Sequence, residues 1–247
     1  MKYVLSIGFV VGFLLSVTAQ LPAIDSLKRE LPQLRDTALV DAYMRVGELS
    51  YTQLNDIEAL VKYMNLAIDL SEKKNYEKRW VDALTYLGIG YAKQHEFDRS
   101  FEVWNKALEK AEALSDTSRM AYLHNKFGYN YDQLDDLKKA LEHFILSANF
   151  YEQIKDYNGL GSSYMNIASV FGQQEQKKEV LFYTRKSMEL VPRIDDPFIQ
   201  TSILYGAAAQ YAELGATDGS YLDSSLTAAG LGLKIAQENQ LLSRYPK

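Results

Sequence analysis

The sequence predicts an all-α fold, a solenoid of about five antiparallel helix hairpins, on three observations. An aromatic residue recurs at Tyr51, Tyr91, Tyr131, Phe171 and Tyr211, in successive steps of 40 residues. Small residues keep step with it: Gly88, Gly128, Ala168 and Ala208 stand three residues before, and Ala67, Ala107, Ser147 and Ser187 sixteen residues after. Only five prolines interrupt 247 residues, and Ala, Leu, Glu, Lys and Gln, the best helix formers, are abundant. Helix pairs need small residues where two backbones approach and large ones where volume between pairs must be filled. A period of this length supplies both once per pair.

The N-terminus stands apart from that array. Lys2 is followed by an apolar run over 3–17 and then by Val17-Thr18-Ala19. A charged start, an apolar core shorter than a membrane span and small residues before a cut after Ala19 are the parts of a secretory signal peptide. Residues 1–19 are therefore expected to be removed on export to the periplasm or the extracellular space, leaving Gln20 first. The alternative is an uncleaved anchor or a buried first helix. No cysteine follows the run, so no lipid is attached there, and no later apolar stretch approaches the roughly 20 residues of a spanning helix. An N-terminal segment, 20–35, leads into the repeats at 36–239, and 240–247 forms a tail.

The spacing predicts helices over 37–52, 56–71, 76–94, 97–114, 117–133, 137–154, 157–172, 177–190, 197–214 and 221–239. Asp36, Asp116, Asp156 and Asp196 stand before the first helix of four hairpins, where a carboxylate can accept the orphan amides of the first turn; Tyr76 interrupts the series. Pro197 occupies a first helical position, where its missing N–H costs nothing. Pro192 lies just past a helix end and stops it. Short polar turns such as Leu134-Asp135-Asp136 force neighbouring helices antiparallel. Glu48 and Leu60 replace small residues in the first hairpin, and Thr184 replaces an aromatic in the fourth. A longer turn over 215–220 shifts the last helix by two, so that Leu222, Leu226 and Ala229 are expected to face inward.

The stretch Leu84, Leu87, Gly88, Tyr91, Ser100, Trp104, Ala107 carries the spacing W-x2-L-G-x2-Y followed by A-x3-F, with Leu for Trp, Ser for Ala and Trp for Phe. From Asp36 to about Asn239 the chain resembles the tetratricopeptide-repeat (TPR) family in its variant with repeats near 40 residues. The resemblance implies a right-handed superhelix whose concave face binds peptides or helices of other proteins. A signal peptide followed by such repeats also resembles the extracytoplasmic region of bacterial two-component sensor proteins. Carried onto this chain, the family's inner-face positions are Thr85, Ile89 and Lys93 in the second hairpin and Tyr122, Asn125, Tyr129 and Gln133 in the third. They continue as Ser162, Met165, Ser169 and Gln173 in the fourth hairpin and Ser202 and Tyr205 in the fifth. This lining lacks the Lys and Asn set with which some family members clamp a C-terminal carboxylate, so that activity is not expected.

Other chemistries are poorly served. A net charge of −5 includes no basic stripe able to displace counterions from nucleic acid. Zero cysteines exclude disulfides, thiolate metal sites and cysteine nucleophiles. His95 is followed by Glu96 but Arg99 stands where H-E-x-x-H needs its second histidine, so no metal is expected. His124 falls where the family has Trp and reads as packed, while His95 and His143 read as solvated. Gly88-Ile-Gly90 and Gly230-Leu-Gly232 follow no strand and read as helix packing. Asp135 with Asp136, and Asp195 with Asp196, read as turns and caps. Gly161-Ser162-Ser163-Tyr164-Met165 lacks the last glycine and the strand of a nucleophile elbow. No catalytic residue and no cofactor is expected.

The reading is an exported, non-catalytic scaffold that binds a protein or peptide segment in its concave groove, in signalling or envelope assembly. Tyrosine with amide side chains also suits sugars, so a glycan or small-ligand binder is the alternative, as is the sensor portion of a longer two-component regulator. Leu231, Leu233, Ile235, Leu241 and Leu242 form an apolar C-terminal edge, and a solenoid end without a polar cap exposes a face that inner repeats bury. Three coverings are open to it: a fold-back of residues 240–247, pairing with another subunit, or a further repeat; the resemblance to sensor proteins favours the third, and this chain alone is then expected to self-associate weakly through the edge.

Overall fold

A computed structural model describes residues 23–216, 219–239 and 241. The signal-peptide reading and most of the tail lie outside the described residues. Residues 23–30 are helical (α1) and are followed by α2 (Asp36–Leu54), α3 (Ile57–Lys73), α4 (Glu77–Lys93), α5 (Phe97–Ala113), α6 (Thr117–Gln133), α7 (Leu137–Ile154), α8 (Tyr157–Gln173), α9 (Lys177–Leu190), α10 (Pro197–Gly215) and α11 (Leu222–Glu238). No strand occurs among the described residues. Every helix from α2 to α11 falls within two residues of its predicted span. The chain divides into two compact units, one up to Arg119 and one from Met120.

The regularity comes from the turns. Asn55, Asn75, His95, Ser115, Asp135, Lys155 and Glu175 all have φ between 51° and 61°, one every 20 residues, within hairpins and between them alike. A residue in the left-handed region ends a helix by turning the chain back so that the next amide caps a carbonyl one turn earlier. Here Glu96 N–H donates to Tyr91 O at 2.9 Å, Asp136 N–H to Tyr131 O at 2.9 Å and Gln176 N–H to Phe171 O at 2.9 Å. The next helix then starts at once. The carboxylates of Asp116, Asp156 and Asp196 accept the amides of Arg119 (3.2 Å), Gly159 (3.0 Å) and Phe198 (2.8 Å), as expected for caps. Asp36 does not: it has φ 54° and its carboxylate meets Lys74 Nζ at 2.6 Å. Asp56 and Asp136 cap second helices in the same way, on Ala59 and Lys139. Pro192 ends α9 in a 3-10 turn, Val191–Arg193.

In the first unit, Trp104 from α5 is 1% exposed, and its indole N–H donates to Thr85 O at 2.9 Å. Gly88 lies beneath that ring. A second cluster joins Val40, Leu60, Met64, Ala67, Ala83, Leu87 and Tyr91. Ile24 of α1 packs with Val46 and Leu49 and covers the leading side of α2. In the second unit Phe144 lies on Gly128 as Trp104 does on Gly88. Ala121, Ala140, Ala148, Leu160 and Ile167 complete that core. Val180, Ala207, Ala208, Tyr211 and Ala228 form the next one.

The last helix departs from its predicted register. Leu226 is 72% and Leu222 48% exposed, whereas Ala228, Gly232 and Ala236 are buried, and Ser225 Oγ donates to Ala208 O at 2.8 Å. The small residues of α11 are the ones that let it lie close on α10. After the 3-10 turn Gly219–Tyr221, Leu226 points outward, whereas Leu222 lies against α10, where a Cβ on Gly215 would be 2.8 Å from its methyl. Of the expected apolar edge, Ile235 joins Val191, Ile194, Ile203 and Leu204 in a core and Leu241 is buried, leaving Leu231 and Leu233 exposed; Leu242 lies outside the described residues.

Candidate functional site

A first helix gives one side to its own second helix and another to the neighbouring hairpin; what remains is a narrow strip. In α6 that strip is Tyr122, Lys126, Tyr129 and Gln133, in α8 Ser162, Asn166, Ser169 and Gln173, and in α10 Ser202 and Ala209, with Tyr205 exposed in the column beside them. The spacing i, i+4, i+7, i+11 is one face of a helix. Adjacent strips are tied together. Tyr129 O–H donates to Asn166 Oδ1 at 3.0 Å, Gln173 Nε2 donates to Asp132 Oδ1 at 2.8 Å, and Met165 approaches Gly206 so closely that a Cβ there would lie 2.8 Å from its methyl. Lys126 Nζ stands 4.5 Å from the centre of the Tyr122 ring and 5.5 Å from that of Tyr129, a cation over aromatic faces. Burial pushes the Tyr129 phenol up from its ordinary pKa. It stays a neutral donor. Asn166 Nδ2 is buried without a partner, a donor whose desolvation nothing offsets.

Asn125 is a correction. It is buried, because its column on α6 is the one that in α8, at Met165, is covered by the following first helix. Thr85 is a second correction in the first unit: it is buried and its hydroxyl donates to Val81 O at 2.7 Å. Ile89 is half-buried and Lys93 exposed. The open column of α4 runs instead through Asp82 and Tyr86. Both are engaged. Asp82 takes the Arg119 guanidinium on both oxygens, at 2.7 and 2.8 Å, and Arg119 also holds Asp116 at 2.6 Å. Tyr86 O–H lies 3.4 Å from Glu48 Oε1, and burial, followed by the Glu48 carboxylate, pushes its pKa up to about 12. Asp82, Tyr86, Lys126 and Asn166 escaped sequence reasoning, although i+4 spacing from Tyr122 and Ser162 would have found the latter two.

Beneath the strip of α6 lies a histidine pair. His124 Nδ1 and His143 Nδ1 are 2.9 Å apart, so one ring must donate and the other accept. His143 was expected in solvent. It lies instead between Phe127 and Tyr131, with ring centres 5.0 and 5.3 Å away and planes within 22°, because the aromatic columns of α6 converge on it. His124 stacks on Phe150 at 5.6 Å. Burial, then the neighbouring His143, holds the His124 pKa down at about 4; burial also lowers that of His143. His95 is exposed, as expected. Among the described residues no three His, Asp or Glu side chains gather as metal ligands.

No protein-family model matches the chain. Among solved structures, a Rap protein complexed with competence and sporulation factor aligns with a TM-score of 0.71 at 16% identity, over 96% of this chain and 66% of that one. NprR in complex with its cognate peptide NprX aligns with a TM-score of 0.61 at 15% identity, over 94% of this chain and 68% of that one. The fold is tetratricopeptide-like. In sequence, response regulator aspartate phosphatase I of Bacillus subtilis (strain 168) is 29% identical over 137 residues, 55% of this chain. The matched stretch is 35% of that relative's length.

Proposed function

We propose that this tetratricopeptide-like chain is an exported, non-catalytic scaffold that holds a peptide or protein segment along its first helices, in signalling or envelope assembly. The observation that carries the reading is the open strip on α6, α8 and α10. Three successive first helices leave the same column uncovered while nearly everything around it is packed, and that column is lined with tyrosine, serine and amide side chains. Such side chains offer large rigid area and adaptable hydrogen bonds at low entropic cost. Two solved proteins of the same fold hold a peptide or a named factor in their complexes, and a relative named for response regulators is in keeping with signalling. The phosphatase in that name belongs to a protein of which about a third is matched.

The test uses the full chain, immobilised and exposed to envelope extract and, separately, to a glycan array. A protein or peptide should be retained. Tyr129→Ala and Ser169→Arg, the second adding bulk and charge mid-strip, should each weaken retention roughly tenfold with helicity unchanged. Equal retention by both variants would place the site elsewhere, and selective glycan capture would favour the sugar-binding alternative. Export is proposed from Lys2, the apolar run 3–17 and Val17-Thr18-Ala19. Secreted material should begin at Gln20 by intact mass; material retaining residues 1–19 would refute cleavage.

A further inference from the structure

The face of α11 turned away from α10 is apolar and open. Leu226 and Leu233 are 72% and 43% exposed, and among the described residues nothing lies within 4 Å of a Cβ at Gly230. The fourth hairpin indicates what such a face does. When α11 is set on α9 and the 3-10 turn after it, with Gly232 on Ser187 and Ala236 on Val191, Leu226 and Leu233 take the places of Leu181 and Met188. Those two pack into cores built with α10. Among the described residues no helix stands beyond α11 to cover their counterparts.

We infer that a second copy of this chain covers this face, α11 lying antiparallel on the second copy's α11. The inference relocates the self-association anticipated from the sequence and is independent of the peptide-binding reading. Three features fit a self-complementary contact. Leu226 is a protruding side chain, and Gly230, one turn further along the same face, is a vacancy that can receive one. Setting Leu226 of each copy over Gly230 of the other is possible only with the helices antiparallel. That setting brings Asp223 opposite Lys234 twice, whereas a parallel pair would oppose like charges. The contact of Lys234 with Glu238 is 3.9 Å long and solvent-exposed, so the ammonium can turn to a second carboxylate.

Sedimentation of the full chain over a wide concentration range tests this. The parent should pass from one to two copies. Leu226→Glu, at a side chain that supports no core, should remain a monomer with unchanged circular dichroism. Asp223→Lys should weaken the dimer roughly tenfold by opposing like charges, and Asp223→Lys combined with Lys234→Asp should restore it. A parent that is monomeric throughout would overturn the inference, as would a dimer indifferent to Leu226→Glu. A charge exchange that fails to restore association in a normally helical protein would overturn the antiparallel pairing.

Discussion

Leucine in place of Gly88 is expected to open the second hairpin. A Cβ at that position would lie 2.1 Å from Trp104 Nε1 and within 2.6 Å of two more ring atoms. The indole cannot step aside, since it is 1% exposed and its N–H is held by Thr85 O. Overfilling a packed crossing costs about 1 to 3 kcal/mol and at times more, and here the obstacle is a rigid ring, so the upper end applies. Gly128→Leu meets Phe144 at 2.6 Å and should behave alike. Gly230→Ala is the matched control. With open space around it, and with alanine the better helix former by about 1 kcal/mol, it should raise stability in dilute solution. Urea midpoints at constant m-value report all three. A Gly88→Leu midpoint equal to the parent's would mean that α4 and α5 do not cross at this point.

Stability should also fall between about pH 6.5 and pH 4, and His124 should account for a large part of the loss. Its folded pKa is about 4, below the ordinary 6.5. Above pH 6.5 the imidazole is neutral in both states and the stabilisation is complete. Between the two values the unfolded chain binds a proton that the folded chain refuses, so unfolding gains about 1.4 kcal/mol per pH unit, or about 3 kcal/mol in all. His143, also lowered, acts in the same direction, and the pair cannot easily hold two protons with its facing nitrogens 2.9 Å apart. His124→Phe should flatten the dependence of the urea midpoint between pH 7 and pH 5. Parallel curves for parent and variant would exclude this origin.

Helix ends were legible because they depend on a few neighbouring residues. Asp156 caps α8 through an amide three residues away, and Pro192 stops α9 through its own ring. The 40-residue recurrence of aromatic and small side chains placed Gly88 under Trp104 and Gly128 under Phe144, since a repeat read once constrains every copy of itself. The left-handed turns were harder to see. Asn, His, Ser, Asp, Lys and Glu all occupy them, and no glycine marks the spot.

The sequence by itself determined the hairpin array and which helix of each pair is the first. Its inner-face residues fall within one column of the strip that the structure leaves open. It did not determine which column is open. Thr85 and Asn125 are adjacent in sequence to Tyr86 and Lys126, and one residue turns a side chain by about 100° around the helix. Whether a column faces water depends on where the next helix lies over it. That is why Asn125 is buried and Lys126 half-open, and why the same column is open at Tyr205 in the last hairpin. His143 became half-buried in the same way, through rings from α6 stacking on it. In α11, Leu226 faces out because Ala228, Gly232 and Ala236 allow a closer approach to α10 than leucine would. Periodicity is local and can be read along one chain; the covering of a face is a property of two elements, and only the tertiary structure brings the second one to it.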